Sequence, residues 1–389
     1  MDAGASVNGA WRTLPALRIC AFADVEVGHR VANRGREDRS EPCTAVASGA
    51  LAGGANGRGH CDAREKTQPA TRVAPVVVAA SREELEAAHC WLDHDRVPGR
   101  PEMTEFRRAV RYHNAMWREV NGYPIGTHRN RPGTPPRLVG SRLDLDFARE
   151  SGASFLTAGA LAAARARTSF VEPHQIFDHQ SLWADLLSSE ALAVNLFGDL
   201  AAHLDRADRA VHAWWPTTPG RVTDVRFAHS PGRFDPSYSN SLRSFDAVFV
   251  LALPDGSDGT LAIDVKYREA AQREGVKPTH LSRFVEIHDR SGAFEPGAVD
   301  VVNPSRLSLI WLEHLLLLSM LQHESGRWRW GRYIVVHPAG NTDIIHVNDE
   351  YRKLLADDAT FTSATIEDLL SAKVLAPRSA AALRRRYLP

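Results

Sequence analysis

Between Ser244 and Glu269 the chain reads SFDAVFVLALPDGSDGTLAIDVKYRE, two apolar runs about the turn PDGSDG. Gly and Asp supply the backbone angles of a tight turn, so the segment predicts an antiparallel hairpin. Three charges, Asp246, Asp264 and Lys266, stand where a plain buried hairpin would carry Val or Thr. Strand residues alternate faces, so Leu261, Ile263, Val265 and Tyr267 share one face while Ala262, Asp264 and Lys266 share the other. In the first run Phe245, Ala247, Phe249 and Leu251 form one face, leaving Asp246 with Val248 and Val250. Hairpin pairing then brings Asp246 close to Asp264.

Two converging carboxylates repel each other and lose hydration unless a cation sits between them or one takes up a proton. Mg²⁺ or Mn²⁺ suits such a pair, because a hard cation needs one or two carboxylates and keeps waters that a phosphate can replace. Lys266 beside it would orient an attacking water or stabilise charge developing on a phosphate. The alternative is an exposed ion pair between Asp264 and Lys266, with Asp246 as an edge charge. Apolar neighbours on both faces favour the buried reading.

Upstream, SLWADLLSSEALAVNLFGDL predicts one long helix from about Ser181 to Leu204, with Trp183, Leu187, Glu190, Val194 and Phe197 in a row. Glu190 interrupts that apolar row, and a buried Glu needs a partner, for which the metal site is the candidate. A strand is predicted over 222–230, then the hairpin, a buried helix over Arg306–Glu324, a strand over 332–338 and another, TDIIHVN, over 342–348. Helix, three strands, helix and strand predict an α/β fold with a mixed sheet covered by helices.

Residues 1–90 are rich in Ala, Gly and Arg and are expected to be low-complexity and disordered, leaving a domain over 91–389 with its core at about 181–350. Its first part, EMTEFRRAVRYHNAMWREV, predicts an amphipathic helix, an N-terminal helical extension of the core. From Arg96 to Arg149 eleven arginines and no lysine face five acidic residues, although the whole chain balances 47 basic against 47 acidic. A nucleic-acid partner therefore needs a local basic surface, and Arg107, Arg108, Arg111 and Arg118 are its candidates; a merely solvated helix face is the alternative.

Other signals carry less. Arg306–Glu324 is broken by Glu313 and His314, short of a membrane span, and the first residues lack a secretory pattern, so a cytoplasmic protein without membrane contact is expected. Cys20, Cys43, Cys61 and Cys90 follow no disulfide or zinc spacing. Glu172, His174, Asp178 and His179 are metal-ligand types at a spacing that also fits a capped helix start, and Trp214–Trp215 reads as a packing corner or a base-stacking pair.

Asp246, then Asp264-Val265-Lys266 after an apolar run, preceded by a helix with Glu190, resembles the PD-(D/E)XK nuclease superfamily. The αβββαβ order is similar to its restriction-endonuclease-like core. FRRAVRYHNAMWREVNGYPIG, GSRLDLDFARESGASFLT and LLSSEALAVNLFGDL extend the likeness over about Glu102 to Leu388. Phe245 stands where the motif name has Pro. The resemblance implies Asp246, Asp264 and Glu190 as ligands of Mg²⁺ or Mn²⁺, Lys266 as catalytic lysine, and metal-dependent endonucleolytic cleavage of nucleic acid, DNA rather than RNA. The other reading is a non-catalytic nucleic-acid-binding module on the same fold. Nothing in the chain sets its oligomeric state, a dimer included.

Overall fold

The computed structural model describes residues 80–128, 135–271, 273, 274, 276 and 278–389. In chain order these form α1 (Arg82–Ala87), α2 (Pro101–Val120), β1 (Ile125–Thr127), β2 (Leu138–Leu143), α3 (Leu145–Ser151), α4 (Ala158–Ser169), α5 (His179–Ala184), α6 (Ser189–Ala201) and α7 (Leu204–Trp214). Then come β3 (Arg221–His229), β4 (Phe245–Ala252), β5 (Asp258–Val265), α8 (Pro278–Ser291), α9 (Ala298–Val302), α10 (Ser308–Leu321), β6 (Trp328–His337), α11 (Thr342–Arg352), β7 (Phe361–Thr365), α12 (Ile366–Ser371) and α13 (Pro377–Tyr387).

Strands β3 to β7 form one sheet in sequence order. The β3–β4 and β4–β5 pairs are antiparallel, β5–β6 and β6–β7 parallel, so the sheet is mixed as expected. The β4–β5 turn is tight because Gly256 takes φ 82°, open to glycine without a Cβ clash, and Asp255 accepts from the Ser257 amide at 3.0 Å. Both faces are buried. Ala247, Phe249, Leu251, Leu261 and Ile263 pack into a cluster with α6 and α7, while Val248, Val250 and Ala262 join α10 on the other side. Phe245 breaks the alternation at the strand's first residue and packs with the second cluster, 6.3 Å from the Tyr333 ring. Helix α10 is apolar all round because it is enclosed. Its two ionisable residues are accounted for: His314, buried, is held at about 3 by burial and bonds Tyr351 and Thr360 at 2.9 and 3.0 Å, and Glu313 turns toward the site described below.

Three expectations change. The long helix over 181–204 is two helices. Asp185 adopts an extended backbone and bridges to Arg142 of β2, Leu186 donates to the Ser141 carbonyl at 3.0 Å, and Ser188 caps a new helix by accepting from the Ala191 amide at 3.2 Å. Glu190 therefore lies in the first turn of α6, and Trp183 and Leu187 are not on its helix. TDIIHVN is not a strand but the start of α11: Asn341 caps it, and Ile344, Val347 and Tyr351 are buried on one helical stripe. The further strand of the sheet is instead β7, beyond the expected core. Finally, α1, with a Ser81–Glu84 capping box and Leu85 1% exposed, falls within the segment expected to be unstructured; residues 1–79 of that segment lie outside the described residues.

Candidate active site

The β4–β5 register pairs Ala247 with Ile263, and one step further along it Asp246 faces Asp264. Asp246 accepts from the Val265 amide through Oδ2 at 2.8 Å, which ties it to the end of β5. Asp264, 3% exposed, accepts through one oxygen, Oδ2, from Lys266 Nζ at 2.8 Å and from the Tyr333 hydroxyl at 3.0 Å. The backbone after Lys266 is clamped from α11: the buried Asn341 amide donates to the carbonyls of Lys266, Tyr267 and Glu269 at 3.3, 3.5 and 3.0 Å.

A cavity of about 240 Å³ opens at this end of the sheet, lined among others by His174, Asp178, Glu190, Arg233, Ser244 and Asp246. The structure thus brings the three strand charges together at one end of the sheet, Asp264 bonded to Lys266 and Asp246 to the Val265 amide between them, and gives Asp246 and Glu190 a common cavity. Asp264 and Lys266 stand behind Asp246 rather than in its wall.

The charges bear marks of this crowding. Burial, then the neighbouring Asp264, pushes the Asp246 carboxyl well above its ordinary range, and Glu190 adds to the push. Glu190 is pushed up to about 7 by burial, which outweighs the attraction of Arg167 and the favourable helix N-terminus. Burial works against the Lys266 ammonium, but Asp264, Asp246 and Glu313 outweigh it and hold the group above its usual range. Glu313 is 7% exposed; its Oε1 accepts from Arg243 at 2.6 Å while its Oε2 is buried without a partner, and burial, with Asp264 adding, pushes it up to about 7.

Among the described residues no three His, Cys, Asp or Glu side chains are close enough to form a metal cage by themselves. The three carboxylates expected as ligands are therefore not a preassembled cage. Asp246 and Asp264 still offer what a hard divalent ion needs: oxygen donors, side by side, whose mutual repulsion a cation would relieve. The weaker candidate set fits no metal. The Glu172 carboxylate is taken by His229 at 2.6 Å, by the Ser230 amide at 3.0 Å and by Arg233. Asp178 caps α5 through the Gln180 and Ser181 amides.

The basic face of α2 is also rearranged. Arg111, 3% exposed, forms a two-pronged pair with the buried Asp95, and Arg107 turns inward beside it. Arg118 donates to the carbonyls of Gly140 and Tyr123, and Arg108 stacks 4.1 Å over Trp91. Arg107 and Arg111 do not face outward, because the adjoining 3-10 turn buries Asp95 against them, while Arg108 and Arg118 stay half-buried on their own partners. Trp214 donates to the Leu369 carbonyl at 3.0 Å and Trp215 is buried, so the pair is a packing corner. Cys90 is buried against the Arg111 carbonyl; Cys20, Cys43 and Cys61 lie outside the described residues. No helix among the described residues is long and apolar enough to cross a membrane.

Sequence reasoning missed Tyr333, Glu313 and Arg243. Their only signals were a Tyr in a strand pairing with β5 and a Glu inside an apolar helix.

No curated protein and no solved structure matches the chain. A family model described as the PD-(D/E)XK nuclease superfamily matches residues 101–389, a span that contains the mixed sheet, α6 and every residue of the Asp246–Asp264–Lys266 cluster. Members generally use divalent metals, and the fold is consistent with the restriction-endonuclease-like class. The chain belongs to the PD-(D/E)XK nuclease superfamily.

Proposed function

We propose that the protein is a Mg²⁺- or Mn²⁺-dependent endonuclease that hydrolyses phosphodiester bonds in DNA by attack of water. The observation that carries this reading is the grouping of Asp246 with the Asp264–Lys266 pair at one end of the sheet, Asp246 lining a cavity that it shares with Glu190. Asp246 and Asp264 would hold the ion, with Glu190 as the third carboxylate. When bound, the ion supplies Lewis-acid activation of water and of the phosphate. Lys266 remains charged at neutral pH and so acts as a fixed cation rather than a base, countering charge that builds on the phosphate oxygens. Asp264, itself held by the Tyr333 hydroxyl, fixes the direction of its ammonium. Ile176, 90% exposed, and Leu242, 48% exposed, line the same cavity and offer apolar surface to a base or sugar beside the cut. DNA as the substrate follows the resemblance.

The test is incubation of the purified protein with supercoiled DNA, single-stranded DNA and RNA in Mg²⁺, Mn²⁺ or EDTA, alongside Lys266→Ala. Metal-dependent cleavage lost in the variant is expected, and the preferred polymer names the substrate. A folded protein that neither cleaves any of them nor binds either ion in calorimetry would leave a non-catalytic module on a nuclease fold.

A further inference from the structure

The two carboxylate oxygens of Asp95 are both taken by Arg111, Nε to Oδ2 at 2.5 Å and Nη2 to Oδ1 at 2.7 Å. Two more guanidinium groups crowd the same carboxylate without bonding it: Arg107 Nε stands 3.8 Å and Arg268 Nη1 4.0 Å from Oδ1, beyond hydrogen-bond length. The Nε of Arg107 and the Nε of Arg268 are each buried with no partner. The other facing charges do not complete them. Glu269 already accepts from the Ser189 hydroxyl at 2.5 Å and the Arg268 amide at 2.9 Å. His94 lies 3.1 Å from Arg111, and its proton affinity is lowered by burial and then by that arginine.

Three permanently charged guanidiniums thus meet two carboxylates whose oxygens already have donors. Buried cations with unmet donors are costly unless an anion completes them. The planar fork of arginine matches a phosphate in particular. Access is from the Arg268 side, where that side chain is 23% exposed against 9% for Arg107. Arg268 follows Lys266 by two residues, at most roughly 7 Å of backbone and on the scale of one nucleotide step. The Asn341 clamp fixes that stretch.

We propose that Arg107 and Arg268 form a phosphate-binding subsite beside Lys266 that grips a phosphate of the nucleic-acid strand other than the one being cut. It rests on the nuclease reading above and adds to it a second point of hold on the strand. Arg111 and Asp95 are its scaffold. The phosphate is either a flanking diester or a terminal monoester, which share this chemistry.

The test uses the full chain in EDTA, so that no ion recruits phosphate to the carboxylates, and titrates inorganic phosphate by calorimetry and by thermal shift. Saturable binding is expected in the wild type and in Lys266→Ala, weakened about tenfold or more in Arg268→Gln and only partly restored in Arg268→Lys, which keeps the charge but not the fork. Arg268 is partly exposed, so the test stands even if Arg107→Gln does not fold. No saturable binding by the wild type, or equal binding by Arg268→Gln, would overturn the proposal. Oligonucleotides with and without a 5′-phosphate, bound in EDTA, separate the sources. A terminal subsite gives a phosphate preference that Arg268→Gln abolishes; a flanking one gives equal weakening of both oligonucleotides, with a salt slope reduced by about one. Arg268-dependent phosphate binding without cleavage under any metal would sink the nuclease reading alone; cleavage with Arg268-independent phosphate binding would sink the subsite alone.

Discussion

Lys266 donates from Nζ to Asp264 Oδ2 at 2.8 Å, two residues back along its own chain. A strand places residues two apart on one face, so this contact follows from the backbone and needs no loop to assemble it. The same oxygen also receives the Tyr333 hydroxyl. Carboxylate and lysine are therefore one unit, and a cation bound by Asp264 competes with the ammonium for it.

That competition separates two roles. Lys266→Met is expected to lower cleavage by about 10²–10³-fold, the usual range for a lost charge-stabilising group. Affinity for Mg²⁺ or Mn²⁺ should hold or rise, because the competing ammonium is gone. Calorimetry beside single-turnover cleavage checks this; loss of ion binding together with activity would make Lys266 a structural prop.

The metal-free protein should lose stability as pH rises. Glu190 and Glu313 are both pushed up to about 7 from an ordinary 4.5. Between those values the folded state keeps protons that the unfolded chain has released, so the contribution is full below about 4.5 and gone above 7. Its size is on the order of 1–3 kcal/mol per group. Melting in EDTA should give a higher Tm at pH 5.5 than at pH 8, with Glu190→Gln flattening the slope; an unchanged slope in that variant would refute the assignment.

Arg111→Ala should act on the fold. The pair with Asp95 is enclosed, and removing one partner of a buried ion pair costs roughly 3–5 kcal/mol. Guanidinium chloride unfolding reads this directly, and a wild-type midpoint would show the pair to be dispensable.

Glu172 behaves in the opposite sense. Burial pushes its carboxyl up, but His229, Arg233 and the Ser230 amide outweigh burial and hold it at about 2. Its stabilisation is present above about 4.5 and is lost as pH falls toward 2. Glu172→Gln should loosen the cavity wall over 174–178, raising hydrogen exchange there and slowing cleavage more than it weakens ion binding. Unaltered exchange in that segment would detach Glu172 from the wall.

The hairpin and its three charges were legible because they depend on alternation and a turn, both local properties of the chain. The break at Asp185–Ser188 was not, because it is made by pairing with Arg142 and Ser141, more than forty residues away in sequence. TDIIHVN shows β-branched residues where a strand would, and only the cap at Asn341 and the spacing of Ile344, Val347 and Tyr351 mark the helix. The arginines of α2 were visible as charge, but the direction Arg107 and Arg111 face is set by Asp95, which precedes the helix and looks like one more surface acid in the sequence. Tyr333 reaches the site through the parallel pairing of β6 with β5, a contact no local pattern encodes.

Asn341 carries a consequence for how the chain tolerates change. It touches neither the cavity nor any charged group of the site, yet one amide joins the cap of α11 to three carbonyls after Lys266. An unbiased mutational screen scored on cleavage should therefore return position 341 alongside Asp264 and Lys266, even for substitutions as mild as Asn to Ser. Conversely, transplanting the hairpin onto another scaffold without α11 would carry over the charged residues but not the hold that aims them.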